Sequence, residues 1–249
     1  MKYIILTKQH INVIFGAVAL LLVGTILSVS VFAKTNRLLP IYNVETDEKK
    51  IAISFDAAWG ADDTDTLISI LAKYNVSATF FVVGEWVDKY PEEVKKLSDA
   101  GHDVMNHSST HPYMTKLSTE KMLQELNTCN EKIAAITGKT PTLFRAPYGD
   151  YNNDVIQTVE SIGMKTIQWD VDSLDWKDSA TPDSIVTRVT SKVKNGSIVL
   201  FHNDADHTPE ALPIILEKLL SEGYTFVKIA DLIYYDNYEI LHDGTQRQK

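Results

Sequence analysis

Residues 50–84 read KIAISFDAAWGADDTDTLISILAKYNVSATFFVVG, and the alternation inside this stretch decides the fold. An apolar run, Ile51–Phe55, stops at Asp56. A helical pattern follows over Thr64–Tyr74, with Leu67 and Leu71 on one face. A second apolar run, Ala78–Val82, comes next. Strand, helix and strand in one short span make a βαβ unit, whose two strands lie parallel. The pattern continues outward. Further strands are expected at His102–Asn106, Leu143–Phe144, Lys165–Trp169, Ser197–Phe201 and Thr225–Val227. Helices are expected at Pro91–Ala100, Thr119–Thr137, Asp154–Ile162, Pro182–Val193 and Pro209–Ser221. Ser118 has the chemistry of a helix start, and Gly101, Gly138, Gly163 and Gly223 stand near helix ends. This alternation predicts a parallel α/β sheet, either a closed barrel or an open doubly wound sheet. No G-x-G-x-x-G follows the first strand, which argues against a dinucleotide site.

The chain has 249 residues and a formal net charge of −9, with the first basic residues, Lys2 and Lys8, at its N-terminus. An acidic balance argues against binding through phosphate neutralisation, so no nucleic-acid partner is expected. The one cysteine, Cys129, falls in a helical pattern and reads as a small buried residue. Val13 to Ala33 carries no charge, and its length suffices to cross a hydrocarbon core. It predicts a transmembrane signal anchor at 13–33 behind a short cytoplasmic N-terminus, 1–12. Val31-Phe32-Ala33 also fits a cleavage site, so a removed signal peptide stays open. The expected location is the cell membrane, single-pass, with the C-terminal domain extracellular. Residues 34–48 read as a linker, 49–232 as the domain, and 233–249 as a polar tail without a motif.

In parallel α/β folds, active-site groups gather at the carboxyl ends of strands. Asp56 follows the first strand. His107 and His111 follow His102–Asn106. Arg145 and Tyr148 follow Leu143–Phe144. Asp170, Asp172, Asp175 and Trp176 follow Lys165–Trp169, and His202 follows Ser197–Phe201. So many polar groups at one rim read as a single site. Two imidazoles four residues apart would share one face of a helical turn and could hold a metal ion.

These residues carry a resemblance. The stretches Ser-Phe-Asp-Ala-Ala-Trp-Gly at 54–60, His-Ser-Ser-Thr-His-Pro at 107–112, Arg-Ala-Pro-Tyr-Gly at 145–149, Asp-Ser-Leu-Asp-Trp at 172–176 and Leu-Phe-His at 200–202 occur in that order. Together they resemble the polysaccharide deacetylases of the NodB-homology type, carbohydrate esterase family 4. The Trp-Gly after the first motif is similar to the sporulation-associated branch. The resemblance implies a distorted (β/α) barrel of about seven parallel strands that removes N-acetyl groups from a cell-wall-type glycan. It implies a divalent metal, zinc or similar, on His107 and His111. It makes Asp56 the general base, tethered by Arg145, and His202 the general acid, oriented by Asp175. It gives the Tyr148 amide to the oxyanion, and Trp176 and Leu200 to the acetyl methyl pocket. The implied partners are a glycan and, through the N-terminal helix, the membrane; no protein partner is indicated.

The first motif departs from the family pattern. Where a second aspartate would supply the third metal ligand, this chain has Ala57. A methyl group cannot bind a metal, and two histidines with waters make a weaker site than two histidines with a carboxylate. Asp62 and Asp63 lie a few residues on. The departure opens one alternative, a glycan-binding relative with a degenerate metal site; a further one is an esterase for O-acetyl sugars, since the same constellation serves both bonds.

Overall fold

The computed structural model describes residues 37–249. The expected N-terminal stub, 1–12, and membrane anchor, 13–33, lie outside the described residues. Among the described residues no helix is long and apolar enough to cross a membrane.

The strands are β1 (Asn43–Val44), β2 (Lys50–Ala57), β3 (Thr79–Val82), β4 (Asp103–Asn106), β5 (Leu143–Phe144), β6 (Lys165–Thr166), β7 (Val171–Asp172), β8 (Ile198–His202), β9 (Thr225–Phe226), β10 (Tyr238–Ile240) and β11 (Thr245–Gln248). Seven of them form one parallel sheet in the order β6-β5-β4-β3-β2-β8-β7, and β9 adds to the start of β2. The sheet has to curl. Seven strands laid flat would hold β6 and β7 about 29 Å apart. Only Ile167–Asp170 joins them in sequence, and that connection spans at most about 18 Å from Thr166 to Val171. The two edges therefore face one another, as in a distorted barrel. Ile41 wedges beside this seam: its amide donates to Thr166 O, and its carbonyl accepts from the Gln168 amide.

Strand parity sorts the side chains. On β2 and β8, Ile51, Ile53, Phe55, Val199 and Phe201 face the helical layer. Ala52 and Ile198 face the inner core with Phe81, Met105, Leu143 and Ile167. Ser54 and Asp56 share the inner parity of Ala52. Phe55 stacks between Phe80, at 4.7 Å, and Phe201, at 5.6 Å. Each such buried ring contributes roughly 1.5–3 kcal/mol.

The helix Thr119–Thr137 matches its sequence expectation at both ends. Ser118 accepts from the Lys121 amide, and Gly138 closes the helix with φ 72°. The expected strand Lys165–Trp169 is shorter, because the chain leaves the sheet at Ile167 to meet Ile41. Two segments read as unstructured are built into the fold. The linker contributes β1, and the polar tail contributes β10 and β11, which pair as a hairpin with β11 also on β1. Apolar periodicity gives no sign of this hairpin, because its anchor is polar. Gln246 is fully buried, and its side-chain amide both donates to Tyr234 O and accepts from Tyr234 N.

Candidate active site

The strand ends enclose a cavity of ≈ 510 Å³. Asp56, His107, His111, Tyr148, Trp176, Leu200 and His202 all line it, so the sequence-predicted residues converge. Asp172, Trp59 and Trp169 line it as well.

Asp56 ends the inward parity of β2. Its Oδ1 accepts from Arg145 Nη1 at 2.7 Å. Arg145 is fully buried; its Nη2 donates to Ser54 Oγ at 2.9 Å and to Gln168 O at 3.3 Å, and Phe81 lies 4.2 Å from its guanidinium carbon. Burial alone would raise the Asp56 pKa. The Arg145 charge, helped by His107 and His202, outweighs it and holds the carboxyl below its usual range. Asp56 is thus ionised at neutral pH.

His107 leaves β4 with its Nδ1 2.8 Å from Arg145 O. A carbonyl only accepts, so Nδ1 carries the proton and the neutral ring keeps a lone pair on Nε2. That nitrogen lies 3.6 Å from Asp56 Oδ2. Segment 107–111 is not the helical turn that the spacing suggested. It is a loop in which Ser108 and His111 have φ of 68° and 59°, and the Ser108 amide donates to Asn106 Oδ1. The turn still brings the two rings to 5.0 Å, with His111 edge-on to Trp59 at 5.2 Å and to Tyr148 at 4.5 Å. Burial, then the nearby His107, pulls His111 down to about 4. Burial likewise lowers His107. Both rings are neutral near pH 7.

On the opposite wall, Asp175 Oδ1 faces His202 Nδ1 at 2.8 Å. Its Oδ2 accepts from the His202 amide at 2.9 Å and from Thr208 Oγ1 at 2.7 Å. His202 therefore donates through Nδ1, and Nε2 is the ring nitrogen that the protein leaves free. Burial would lower this imidazole, but the hydrogen bond and charge of Asp175 lift it above its ordinary value.

Two carboxylates near the rim, Asp170 and the helix N-cap residue Asp63, do other work. Asp170 accepts from the Ile198 amide and Ser197 Oγ, and so fastens the β7 edge rather than lining the cavity. Asp63 accepts from the Asp204 amide, and burial and Asp204 push it up to about 6. Neither Asp62 nor Asp63 lines the cavity. The sequence reading missed Trp59 and Tyr113. They stand 62% and 55% exposed, and Tyr113 stacks on Tyr148 at 4.3 Å. The available signal was an aromatic residue in a loop beside a candidate motif: Trp59 three residues after Asp56, and Tyr113 two after His111.

A divalent metal would find two neutral imidazoles and the lone pair of His107 Nε2 facing Asp56 Oδ2. A third dedicated ligand is missing. Ala57 is 1% exposed, packs in the outer apolar core and does not line the cavity. Among the described residues no three His, Cys, Asp or Glu side chains are grouped to hold a metal ion. The donor set therefore does not fit a catalytic metal with three protein ligands.

A curled parallel sheet with paired Asp–Arg and His–Asp groups at its C-terminal rim defines an α/β domain with its site at the strand ends. The polysaccharide deacetylase family model matches residues 43–167, and the chain belongs to that family. Bacillus subtilis YlxY is 35% identical over 78% of this chain and 60% of its own length. The peptidoglycan-N-acetylmuramic acid deacetylase PdaC of Bacillus subtilis is 35% identical over 76% of this chain and 40% of its own length. The chain thus spans less than two thirds of either relative. Among solved structures, BA3943 of Bacillus anthracis, described as a CE4 family pseudoenzyme, superposes with TM-score 0.75 at 35% identity, covering 78% of this chain and 68% of its own. A BA3943 mutant with restored enzymatic activity superposes equally well.

Proposed function

We propose that this site removes N-acetyl groups from a peptidoglycan-like glycan, at a rate limited by its missing metal ligand. One observation carries the reading: the Asp56–Arg145 and His202–Asp175 pairs meet across one cavity, an ionised acceptor opposite a raised imidazole. A water beside Asp56 Oδ2 gives up its proton as its oxygen attacks the acetyl carbonyl. His202, protonated at Nε2, delivers its own proton to the glycan nitrogen as the C–N bond breaks, while the proton taken from water leaves Asp56 for solvent. Acetate and a free amine result. Arg145 keeps Asp56 charged and fixed, and Asp175 sets the His202 tautomer. Leu200 and Trp176 offer an apolar wall to the acetyl methyl group. An amide carbonyl is a poor electrophile, and the low basicity of Asp56 gives this pair a modest rate when it acts alone. The charge-free segment 13–33 supports a place at the cell membrane, with the domain outside.

Ala57 favours a second reading, a glycan binder that has lost turnover, and the BA3943 pseudoenzyme supplies a structural parallel. Acetate release from N-acetylated and O-acetylated wall glycans by the full-length protein, with and without added divalent metal, separates the readings. Release from the N-acetylated glycan that vanishes in His202→Ala supports the hydrolase. No release under any metal, with glycan binding intact, leaves the binder. Release from the O-acetylated glycan alone makes the site an esterase.

A further inference from the structure

We infer that the chain carries an oxyanion subsite beside the cavity, which selects a glycan bearing a carboxylate on the sugar next to the one in the active site. This inference rests on the glycan reading above and names the class of substrate. The loop Asp172–Lys177 separates two hollows. One is the cavity, lined by Asp172 and Trp176. The other is a pocket of ≈ 280 Å³, whose lining includes Ser173, Lys177, Ser179, Ser184 and Arg188. The second hollow has no part in the acid–base chemistry.

Its composition is unusual for this chain. The protein carries a net charge of −9, yet two cations, Lys177 and Arg188, line this pocket and no carboxylate does. Neither cation has an ion-pair partner among the described residues, although Asp178 adjoins Lys177 in sequence. Arg188 spends only Nε on the protein, donating to Asp172 O at 2.7 Å. That bond anchors the guanidinium to the loop that also holds Asp175, and both Nη groups remain for a ligand. A guanidinium fork fixed through Nε suits the two oxygens of a carboxylate. Lys177 stands with its ammonium 5.5 Å from the centre of the Trp176 ring, so one charge reaches from the pocket to the lip of the cavity. Leu174, between the two hollows, has φ 56°, and its amide donates to Asp172 Oδ1. The turn thereby holds Asp172 and Trp176 in the lining of the cavity and Lys177 in that of the pocket.

In this arrangement an N-acetyl sugar held in the cavity against Trp176 has its neighbour in the glycan on the side of Lys177, the residue that joins the cavity lip to the Arg188 pocket. A neutral glycan would gain nothing from this pocket.

The test is binding of two disaccharides to the full-length protein by calorimetry at low salt. One is N-acetylglucosaminyl-N-acetylmuramic acid, with its free lactyl carboxylate. The other is the same sugar as its methyl ester, which keeps the shape and removes the charge. The acid should bind about 10-fold tighter, the size of a charge-assisted hydrogen-bond pair, and the gap should narrow as salt rises. In Lys177→Glu/Arg188→Gln, the ratio of the two affinities should fall to about one. Equal binding of acid and ester to the unaltered protein, or an undiminished preference in the double variant, overturns the subsite. The ester comparison needs no variant, so misfolding cannot obscure it. Failure of both sugars to bind at all removes the glycan reading, and the subsite with it.

Discussion

The wall of the cavity that carries His202 and the wall that carries His107 and His111 differ in how far their polar groups are matched. On the first, both Asp175 oxygens have donors, Nδ1 of His202 has an acceptor, and the imidazole is lifted. On the second, two lowered imidazoles face the cavity with lone pairs, and the residue where the family places a carboxylate is a methyl group in the apolar core. The comparison teaches that the parts of a hydrolytic site are separable. Proton transfer depends on local pairs that pack as units, whereas metal affinity depends on a count of ligands that a single substitution changes.

The largest expected effect breaks the complete wall. His202→Ala removes the proton donor, and acetate release should fall by about 10²–10⁴-fold. Next comes Arg145→Met, which leaves the buried Asp56 charge without its partner and should cost about 3–5 kcal/mol in urea unfolding. A variant as stable as the parent would show that Asp56 takes up a proton or reaches solvent instead. The two walls should also separate in an NMR titration of the ring protons. His202 should titrate above the ordinary histidine value, and His111 near 4. Coincident midpoints would erase the electrostatic distinction.

The smallest effect is on stability against pH, and its sign differs between the walls. The raised His202 contributes stability that is present below about pH 6.5 and is lost as pH rises through its folded value. The lowered His111 acts oppositely: the folded state loses stability as pH falls from about 6.5 to about 4, because the unfolded chain binds the proton first. His202→Gln should flatten the alkaline limb of a melting curve against pH, and His111→Gln the acid limb.

Much of this was legible in the sequence, for reasons that particular residues show. Ile51–Phe55 and Thr119–Thr137 were read because buried strands and amphipathic helices leave apolar periods. Asp56, His107, Arg145, Asp175 and His202 were read because strand ends in parallel α/β folds present catalytic groups, and they were recognised together as motifs. The path of 107–111 was not legible, since Ser108 and His111 adopt left-handed backbone without being glycine. The β10–β11 hairpin was not legible, since Gln246 anchors it by hydrogen bonds rather than by apolar burial. Nor was the second role of Asp170, because a strand-end carboxylate that bonds backbone looks the same in sequence as one that faces substrate.

The most direct test is the thermal midpoint of the wild-type chain and of Ala57→Asp, each with and without added zinc. Without metal the new carboxylate lies at a buried apolar position, and the variant should melt below wild type. Zinc should raise the variant's midpoint well beyond any change in wild type, since a ligand that binds only the folded state stabilises it, and acetate release should rise with it. Equal zinc responses in the two proteins would contradict the claim that this wall lacks one ligand.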